Sequence, residues 1–201
     1  MAEKTRTIRP LTPDRWDDLV DLFGPERGAQ GGCWCMSPLL RSVAFKAMTK
    51  DVRKAMFKAR VLEKDRPAPG LLCYDGDRAI GWVAVGPRPD FIRLQLSRTT
   101  KPLEGEGEPA SDQIWAITCF FIRSSYRKIG VMRHLAQAAR EFAAANGARF
   151  LEACPIEPDR PLIWGEAYVG IAPLFRDLGY EEIARRSTRR PLMRLALDRA
   201  R

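Results

Sequence analysis

The sequence of 201 residues contains a single histidine, His134, and five irregularly spaced cysteines. A structural zinc site needs four ligands, chiefly cysteine and histidine, at regular spacing. Cys33 and Cys35 form a Cys-x-Cys pair, but no second pair of ligands accompanies them, so we expect no metal site. An odd number of cysteines also argues against a disulfide framework, and a reducing, cytoplasmic setting is therefore expected.

Long apolar runs are missing as well. No run of about 18 apolar residues occurs, so we expect no transmembrane helix. The first six residues have no apolar stretch behind them, which argues against a secretory signal. Because 45% of the residues are hydrophobic, the chain can form a sizeable core. We predict one domain over residues 1–201, with loose ends at 1–6 and 198–201.

Acidic residues are outnumbered, since 34 lysines and arginines face 25 aspartates and glutamates, a net charge of +9. A positive balance favours a polyanionic partner, either a nucleic acid or a phosphate-rich cofactor. The acidic residues are interspersed, and neither a helix-turn-helix nor an RNP-like segment appears, which argues against nucleic acid. Composition alone leaves both partners open.

Hydrophobic periodicity and turn residues predict the order of the elements. Strands are predicted at residues 7–10, 71–74, 79–85, 114–122, 149–154, 182–186 and 192–197. Helices are predicted at residues 13–23, 43–63, 131–146 and 172–178. Because a helix connects strands 114–122 and 149–154, we expect these two strands to be parallel. The pattern therefore predicts an α/β domain with a mixed sheet.

The segment from Ile114 to Met132 is the most informative, because an apolar strand feeds a tight turn that opens a helix. The first amides of a helix have no acceptors within it, and the helix dipole favours negative charge there. Gly130 would let the backbone approach a ligand closely. Several basic residues surround the turn, namely Arg123, Arg127, Lys128 and Arg133. The segment predicts a pyrophosphate site, although an ordinary strand–turn–helix with solvated basic residues has the same pattern.

Residues 127–132, Arg-Lys-Ile-Gly-Val-Met, resemble the acyl-CoA-binding motif of the GNAT family of N-acetyltransferases. That motif is Arg or Gln, two residues, Gly, one residue, and Gly or Ala, so Met132 departs from it. Residues 172–180 resemble the later signature of the family, a helix followed by Gly and an aromatic residue. Other stretches, among them Gly-Cys-Trp-Cys-Met at 32–36, resemble a bacterial subgroup of the family.

The resemblance implies a GNAT-like acyl-CoA N-acyltransferase fold, with a mostly antiparallel sheet, a splayed parallel strand pair and flanking helices. It implies acetyl-CoA as the co-substrate. The backbone of Phe121 and Ile122 is expected to hold the pantetheine arm, and Phe175 is expected to line the cofactor site. The pyrophosphate is expected at Arg127, Lys128, Ile129, Gly130, Val131 and Met132, with a charge contact from Arg133.

The implied reaction is direct attack of a neutral amine on the thioester in a ternary complex. The backbone amide near Phe120 is expected to stabilise charge on the carbonyl oxygen. The usual acid of the family is a tyrosine in the late helix, where this chain has Phe175. Tyr168 is the candidate replacement, or else a tyrosine that packs one edge of the site. Glu152 is a candidate base, or else a structural carboxylate paired with an arginine.

Trp34, Cys35 and Arg88 are predicted to contact the acceptor. Arg88, Arg93 and Arg98 would bind an acidic part of the acceptor, bind the adenosine phosphate of the cofactor, or form a solvated face. The acceptor stays open between a small amine and a protein amino group. Dimers are common in the family, so the oligomeric state stays open between a monomer and a homodimer.

Two other classes of function are open. An acyl-CoA-binding sensor without turnover is favoured by the missing tyrosine of the late helix, and a basic nucleic-acid-binding module is favoured by the net charge. Acyl-CoA binding without transfer would indicate the sensor, and salt-sensitive binding of nucleic acid would indicate the module.

Overall fold

The computed structural model describes residues 6–24, 27–105, 107–163 and 165–197. The loose ends predicted at 1–6 and 198–201 lie outside these residues, apart from Arg6. The described strands are β1 (Thr7–Pro10), β2 (Gly70–Asp75), β3 (Arg78–Pro87), β4 (Ile114–Ile122), β5 (Phe150–Ala153), β6 (Glu181–Arg185) and β7 (Pro191–Ala196). The described α-helices are α1 (Trp16–Phe23), α2 (Ser42–Ala47), α3 (Lys50–Val61), α4 (Ile92–Leu96), α5 (Val131–Ala145) and α6 (Ala172–Asp177).

The strands form one seven-stranded sheet in the order β1-β2-β3-β4-β5-β7-β6. Five of the neighbouring pairs are antiparallel, and β4 and β5 are parallel. Helix α5 packs on one face of the sheet, and α1 and α3 pack on the other. This arrangement confirms the predicted mixed fold. No helix of the described residues is long and apolar enough to cross a membrane.

The parallel pair opens partway along its length. β4 and β5 are paired from Ile114 and Phe150 to Ile117 and Ala153. β5 then ends, whereas β4 continues to Ile122 beside β3 alone. The predicted splay is therefore present, and the second half of β4 has one edge without a strand neighbour.

A β-bulge lies where the two strands separate. On β3, the adjacent residues Ala84 and Val85 face Cys119 and Ile117 of β4, so Thr118 is the extra residue. Because side chains alternate between the faces of a strand, one extra residue reverses the alternation. Cys119 consequently packs toward the α1 and α3 face, while Phe120 packs toward α5.

The helix predicted at 43–63 is wrong as a single element, because the chain forms two helices there, α2 and α3. The extended backbone of Met48 ends α2. Thr49 begins α3, since its hydroxyl accepts a hydrogen bond from the Val52 amide at 3.3 Å. The break changes which residues face the core. Val43 is 81% exposed, whereas Phe57 of α3 is buried.

Candidate active site

The turn between β4 and α5 has the geometry of an anion site. The backbone of Lys128 has φ of 63° and that of Gly130 has φ of 86°, both left-handed, and α5 begins directly afterwards. Left-handed residues beside right-handed ones bring successive N–H groups to one side and form anion-binding concavities. Residues 127–130 are exposed to solvent. The turn is thus open to a ligand.

The first amides of α5 are available. The helix begins with a hydrogen bond from the His134 amide to the Gly130 carbonyl at 3.1 Å. Among the described residues, none accepts a hydrogen bond of normal geometry from the amides of residues 130–133, and no side chain caps the helix. These amides and the positive end of the helix dipole therefore fit a diphosphate group.

The basic residues around this turn differ in their availability. Arg123 donates to the Ala79 carbonyl at 2.8 Å and pairs with a carboxylate of α1. Arg127 donates to the Ile122 carbonyl at 3.2 Å. Arg133 pairs with an aspartate of α6 at 2.7 Å on the surface. Lys128 has no hydrogen bond or ion pair within the described part of the chain, so its charge is available to a ligand.

Arg6 also belongs to this turn, and sequence reasoning missed it. Its Nη1 donates to the Ile129 carbonyl at 2.9 Å and lies 3.9 Å from where a Cβ on Gly130 would stand. Arg6 and Ile129 are 123 positions apart along the chain. Only the pairing of β1 at the sheet edge brings Arg6 to the turn, and no local pattern signals that contact.

The open edge of β4 presents two backbone amides. The Arg123 amide donates to the Ile80 carbonyl of β3 at 3.0 Å. Bonded and non-bonded residues alternate along an antiparallel pair, so in the β3–β4 register Phe120 and Ile122 direct their amides away from β3. Those amides face the side that β5 has left. Phe120 and Ile122 thus have the backbone orientation that their predicted roles require.

A cavity of about 470 Å³ lies at the opening between β4 and β5. Residues packed toward both faces of the sheet line it, so it passes through the splay. The cavity brings together six predicted site residues: Cys35, Arg88, Phe120, Phe121, Glu152 and Tyr168. This is the place where a bound thioester and an acceptor could meet.

Trp34 and Phe175, which were also predicted at the site, lie in the core and do not line the cavity. Trp34 is 1% exposed and packs against Trp16 and Phe23, with ring centroids 6.1 and 5.7 Å away. Phe175 is fully buried and contacts Tyr180 edge-to-face at 4.9 Å. Both side chains are buried in the core, and the Lys54 ammonium lies 4.9 Å from the centre of the Trp34 ring.

Glu152 is buried at the bottom of the cavity. One carboxylate oxygen accepts from Arg88 Nε at 2.5 Å, and the other accepts from Arg194 Nε and Nη2 at 3.0 and 2.8 Å. Arg88 also donates to the Thr100 carbonyl. Because guanidinium groups occupy both oxygens, these contacts match the structural alternative for Glu152.

Tyr168 lies in a 3-10 turn, Glu166–Val169, and is 46% exposed. Glu166 anchors the turn through Arg189 at 3.0 Å, the Ile163 amide at 2.9 Å and Arg160 at 2.8 Å. These three donors lower the pKa of Glu166 to about 2. Its carboxylate is therefore charged at neutral pH, and the turn that carries Tyr168 is held in place.

Cys33, Cys35 and Cys119 are among the residues that line the cavity. The Cys35 sulfur accepts from Trp82 Nε1 at 3.0 Å. Hydrogen bonding with Cys119 and Cys33, together with burial, raises the pKa of the Cys35 thiol. Hydrogen bonding with Cys35 lowers the pKa of Cys33 to about 7, with a smaller contribution from Arg53. No metal-binding group of three or more His, Cys, Asp or Glu occurs in the described ranges.

The sequence and the fold were then compared with known proteins. The sequence pattern of the acetyltransferase (GNAT) family matches residues 36–163. Among curated proteins, none matches the sequence.

Several solved structures share the fold. A putative acetyltransferase from Acinetobacter baylyi ADP1 has a TM-score of 0.57 at 14% identity, covering 99% of this chain and 96% of its own. One from Salmonella typhimurium, solved with its cofactor acetyl-CoA, has a TM-score of 0.54 at 14% identity, covering 97% and 95%. An N-acetyltransferase from Staphylococcus aureus Mu50 has a TM-score of 0.53 at 14% identity, covering 96% and 99%.

The family match extends over more than half of the chain, and the structural likeness extends over nearly all of it. The narrower resemblance to a bacterial subgroup stays a prediction. The chain belongs to the GNAT family of acetyltransferases.

Proposed function

We propose that this acyltransferase moves an acetyl group from acetyl-CoA to a primary amine, with both substrates bound at once. The observation that carries the proposal is the row of uncapped amides at 130–133, on the helix that follows the open edge of β4. A diphosphate at those amides would let the rest of the molecule extend along β4 toward the cavity.

The binding roles follow from the contacts described above. The amides of residues 130–133 hold the diphosphate, and Lys128 and Arg6 add positive charge. The Ile122 amide is oriented to bind the pantetheine arm. Arg133 contributes only if it leaves its surface ion pair with Asp177. Bound acetyl-CoA supplies an activated acyl group, and this chain positions it.

The catalytic roles use groups that line the cavity. The acceptor amine must arrive neutral. It attacks the thioester carbonyl, and the proton that its nitrogen then loses passes to solvent water. The Phe120 amide, which faces the open edge, donates to the carbonyl oxygen as negative charge develops. The Tyr168 hydroxyl donates a proton to the departing thiolate. Glu152, held by Arg88 and Arg194, acts as a positioning residue rather than as the base.

Two variants that each replace a glycine by glutamate test the binding site. Gly130→Glu places a carboxylate beside the amides that would hold the diphosphate, and like charges in contact cost several kcal/mol. We expect CoA to bind at least about 100-fold more weakly, by calorimetric titration.

Gly147→Glu is the matched control for that experiment. Gly147 also has φ of 86°, lies just beyond the other end of α5, and has nothing within 4 Å of an added Cβ. Both variants carry the same backbone strain of about 1–2 kcal/mol, so their stabilities should fall together. Normal CoA binding by Gly130→Glu would mean that the diphosphate does not bind at this turn.

A sensor that binds acyl-CoA without turnover is the second candidate function. The observation that favours it is Phe175, a fully buried side chain where the family has an acidic hydroxyl. The two candidates are separated by incubating the protein with acetyl-CoA and a broad panel of amines and measuring free thiol. Saturable CoA binding without thiol release above the uncatalysed rate would favour the sensor.

A further inference from the structure

The cavity between β4 and β5 has an excess of positive charge. Among the described residues, three arginines line it, Arg88, Arg93 and Arg190, against one carboxylate, Glu152. That carboxylate already accepts hydrogen bonds from Arg88 and from Arg194. Arg93 and Arg190 therefore lack an acidic partner in the described part of the chain, and their charges face an apolar cavity.

Arg93 lies on the short helix α4. Its guanidinium is 5.5 Å from the centre of the Phe45 ring, and its Nε is buried without a hydrogen-bond partner. Attraction to the face of an aromatic ring leaves the N–H groups of a guanidinium available to an acceptor. A buried donor without an acceptor destabilises the folded chain. A ligand oxygen at this position would remove that destabilisation.

Arg190 lies just before β7 and is fixed from one side. Its Nε and Nη2 both donate to the Cys154 carbonyl, at 3.2 and 2.7 Å. The geometry leaves Nη1 without a bond to any described residue. The guanidinium is therefore held in place by the backbone after β5, with one nitrogen left for a further acceptor.

Two more buried polar atoms belong to residues that line the same cavity. Arg88 Nη1 and Thr118 Oγ1 are both buried without a partner. Thr118 is the bulge residue of β4, at the point where the strands separate. Residues with unpartnered polar atoms, from three parts of the chain, therefore line one cavity. Buried polar groups in folded proteins nearly always have a hydrogen-bond partner, so a ligand that supplies one fits this cavity.

We propose that the acceptor is a small amine that also carries an oxyanion, a carboxylate or a phosphonate, bound by Arg93 and Arg190 beside Arg88 Nη1. This inference rests on the proposed transfer to an amine and names the substrate class. Guanidinium groups bind planar oxyanions through paired, charge-assisted hydrogen bonds. The cavity volume of about 470 Å³ lies within the range of small-molecule sites.

The test measures binding and turnover separately. The protein saturated with CoA is titrated calorimetrically with free amino acids, with their carboxamides and with aminoalkylphosphonates, and acetyl transfer to each is followed by thiol release. We expect the carboxylate amines or the phosphonates to bind at least about tenfold more tightly than the neutral amides. The carboxamide has the less basic amine, so more of it is neutral near pH 7. Intrinsic reactivity alone would therefore favour acetyl transfer to the carboxamides over transfer to the free amino acids.

Three variants assign the effect to the arginines. Arg93→Gln and Arg190→Gln should each weaken binding of the anionic amines by roughly 10- to 100-fold and leave CoA binding unchanged. Arg98→Gln, an exposed arginine outside the cavity lining, should change neither.

The outcomes separate this proposal from the proposed function. Equal binding of anionic and neutral amines, or binding by no member of the panel, would overturn the oxyanion site. Transfer to neutral amines would still support the acetyltransferase. If anionic amines bind in an Arg93-dependent manner but no thiol is released, the oxyanion site stands and the transfer reaction fails.

Discussion

At the scale of single residues, the candidate active site departs from the family pattern at Phe175. The resemblance to the family places a tyrosine at position 175, whereas this chain has a phenylalanine whose ring is fully buried in the core. Among the described residues, Tyr168 is the one tyrosine that lines the cavity. It reaches the cavity from a turn that Glu166 fixes through three donors. We therefore propose that the Tyr168 hydroxyl replaces the one that α6 lacks.

Removing that hydroxyl should slow turnover selectively. A positioned general acid contributes about 10²- to 10⁴-fold, so we expect Tyr168→Phe to lower kcat by about 100-fold with little change in CoA affinity. Tyr180→Phe is the matched control, because the Tyr180 hydroxyl is buried without a partner and lies outside the cavity lining. An unchanged kcat in Tyr168→Phe would exclude it as the acid.

Sequence reasoning identified which residues are near the cavity better than it identified their orientation. Cys35 lines the cavity as predicted, whereas its neighbour Trp34 packs in the core. Both have left-handed φ, 43° for Trp34 and 54° for Cys35. A loop with such backbone angles has no periodicity from which side-chain directions could be read. The partners of Glu152 were hidden for a related reason, because Arg194 becomes its neighbour only when β5 pairs with β7.

At the scale of elements, the segments with strong local signals were predicted closely. β4 spans Ile114–Ile122 as expected, because a strongly apolar run, interrupted by Thr118, lies there between polar flanks. α5 begins after Gly130 and ends before Gly147, where glycines supply the left-handed angles at both ends. The bulge at Thr118 could not be predicted, since it depends on the β3 register and leaves no pattern in β4 itself.

The position of α5 depends on close contact with β3 at Gly81. A Cβ there would lie 2.9 Å from Val131 Cγ1, which is shorter than real Cβ contacts, and 3.1 Å from Leu135 Cδ1, which is tight. We therefore expect Gly81→Ala to displace the Val131 side chain and, with it, the start of α5, which carries the amides at 130–133. We expect the free energy of unfolding in urea to fall by about 1–3 kcal/mol and CoA binding to weaken.

A second glycine of β3 provides the comparison. A Cβ on Gly86 would lie 3.7 Å from Phe91, an ordinary contact. Gly86→Ala should therefore leave CoA binding unchanged. Equal effects of the two substitutions would mean that the Gly81 contact does not position α5.

At the scale of the whole molecule, much of the positive charge is paired. Arg185, Arg189 and Arg194 each contact two carboxylates. Arg186 and Arg190 donate to backbone carbonyls. These residues belong to the arginine-rich end that suggested a polyanionic partner, and their pairing weakens the case for nucleic acid. Among the described residues, Lys128 at the turn before α5 and Arg93 and Arg190 in the cavity have no carboxylate partner.

We propose that the uncapped amides at the start of α5 hold the diphosphate of CoA. A titration of the ¹⁵N-labelled protein with CoA, followed by the amide resonances, tests this binding mode. The largest shifts should fall on residues 130–133, with further shifts at Phe120 and Ile122 on the open edge of β4. Saturable CoA binding that leaves the resonances of 130–133 in place would contradict the account.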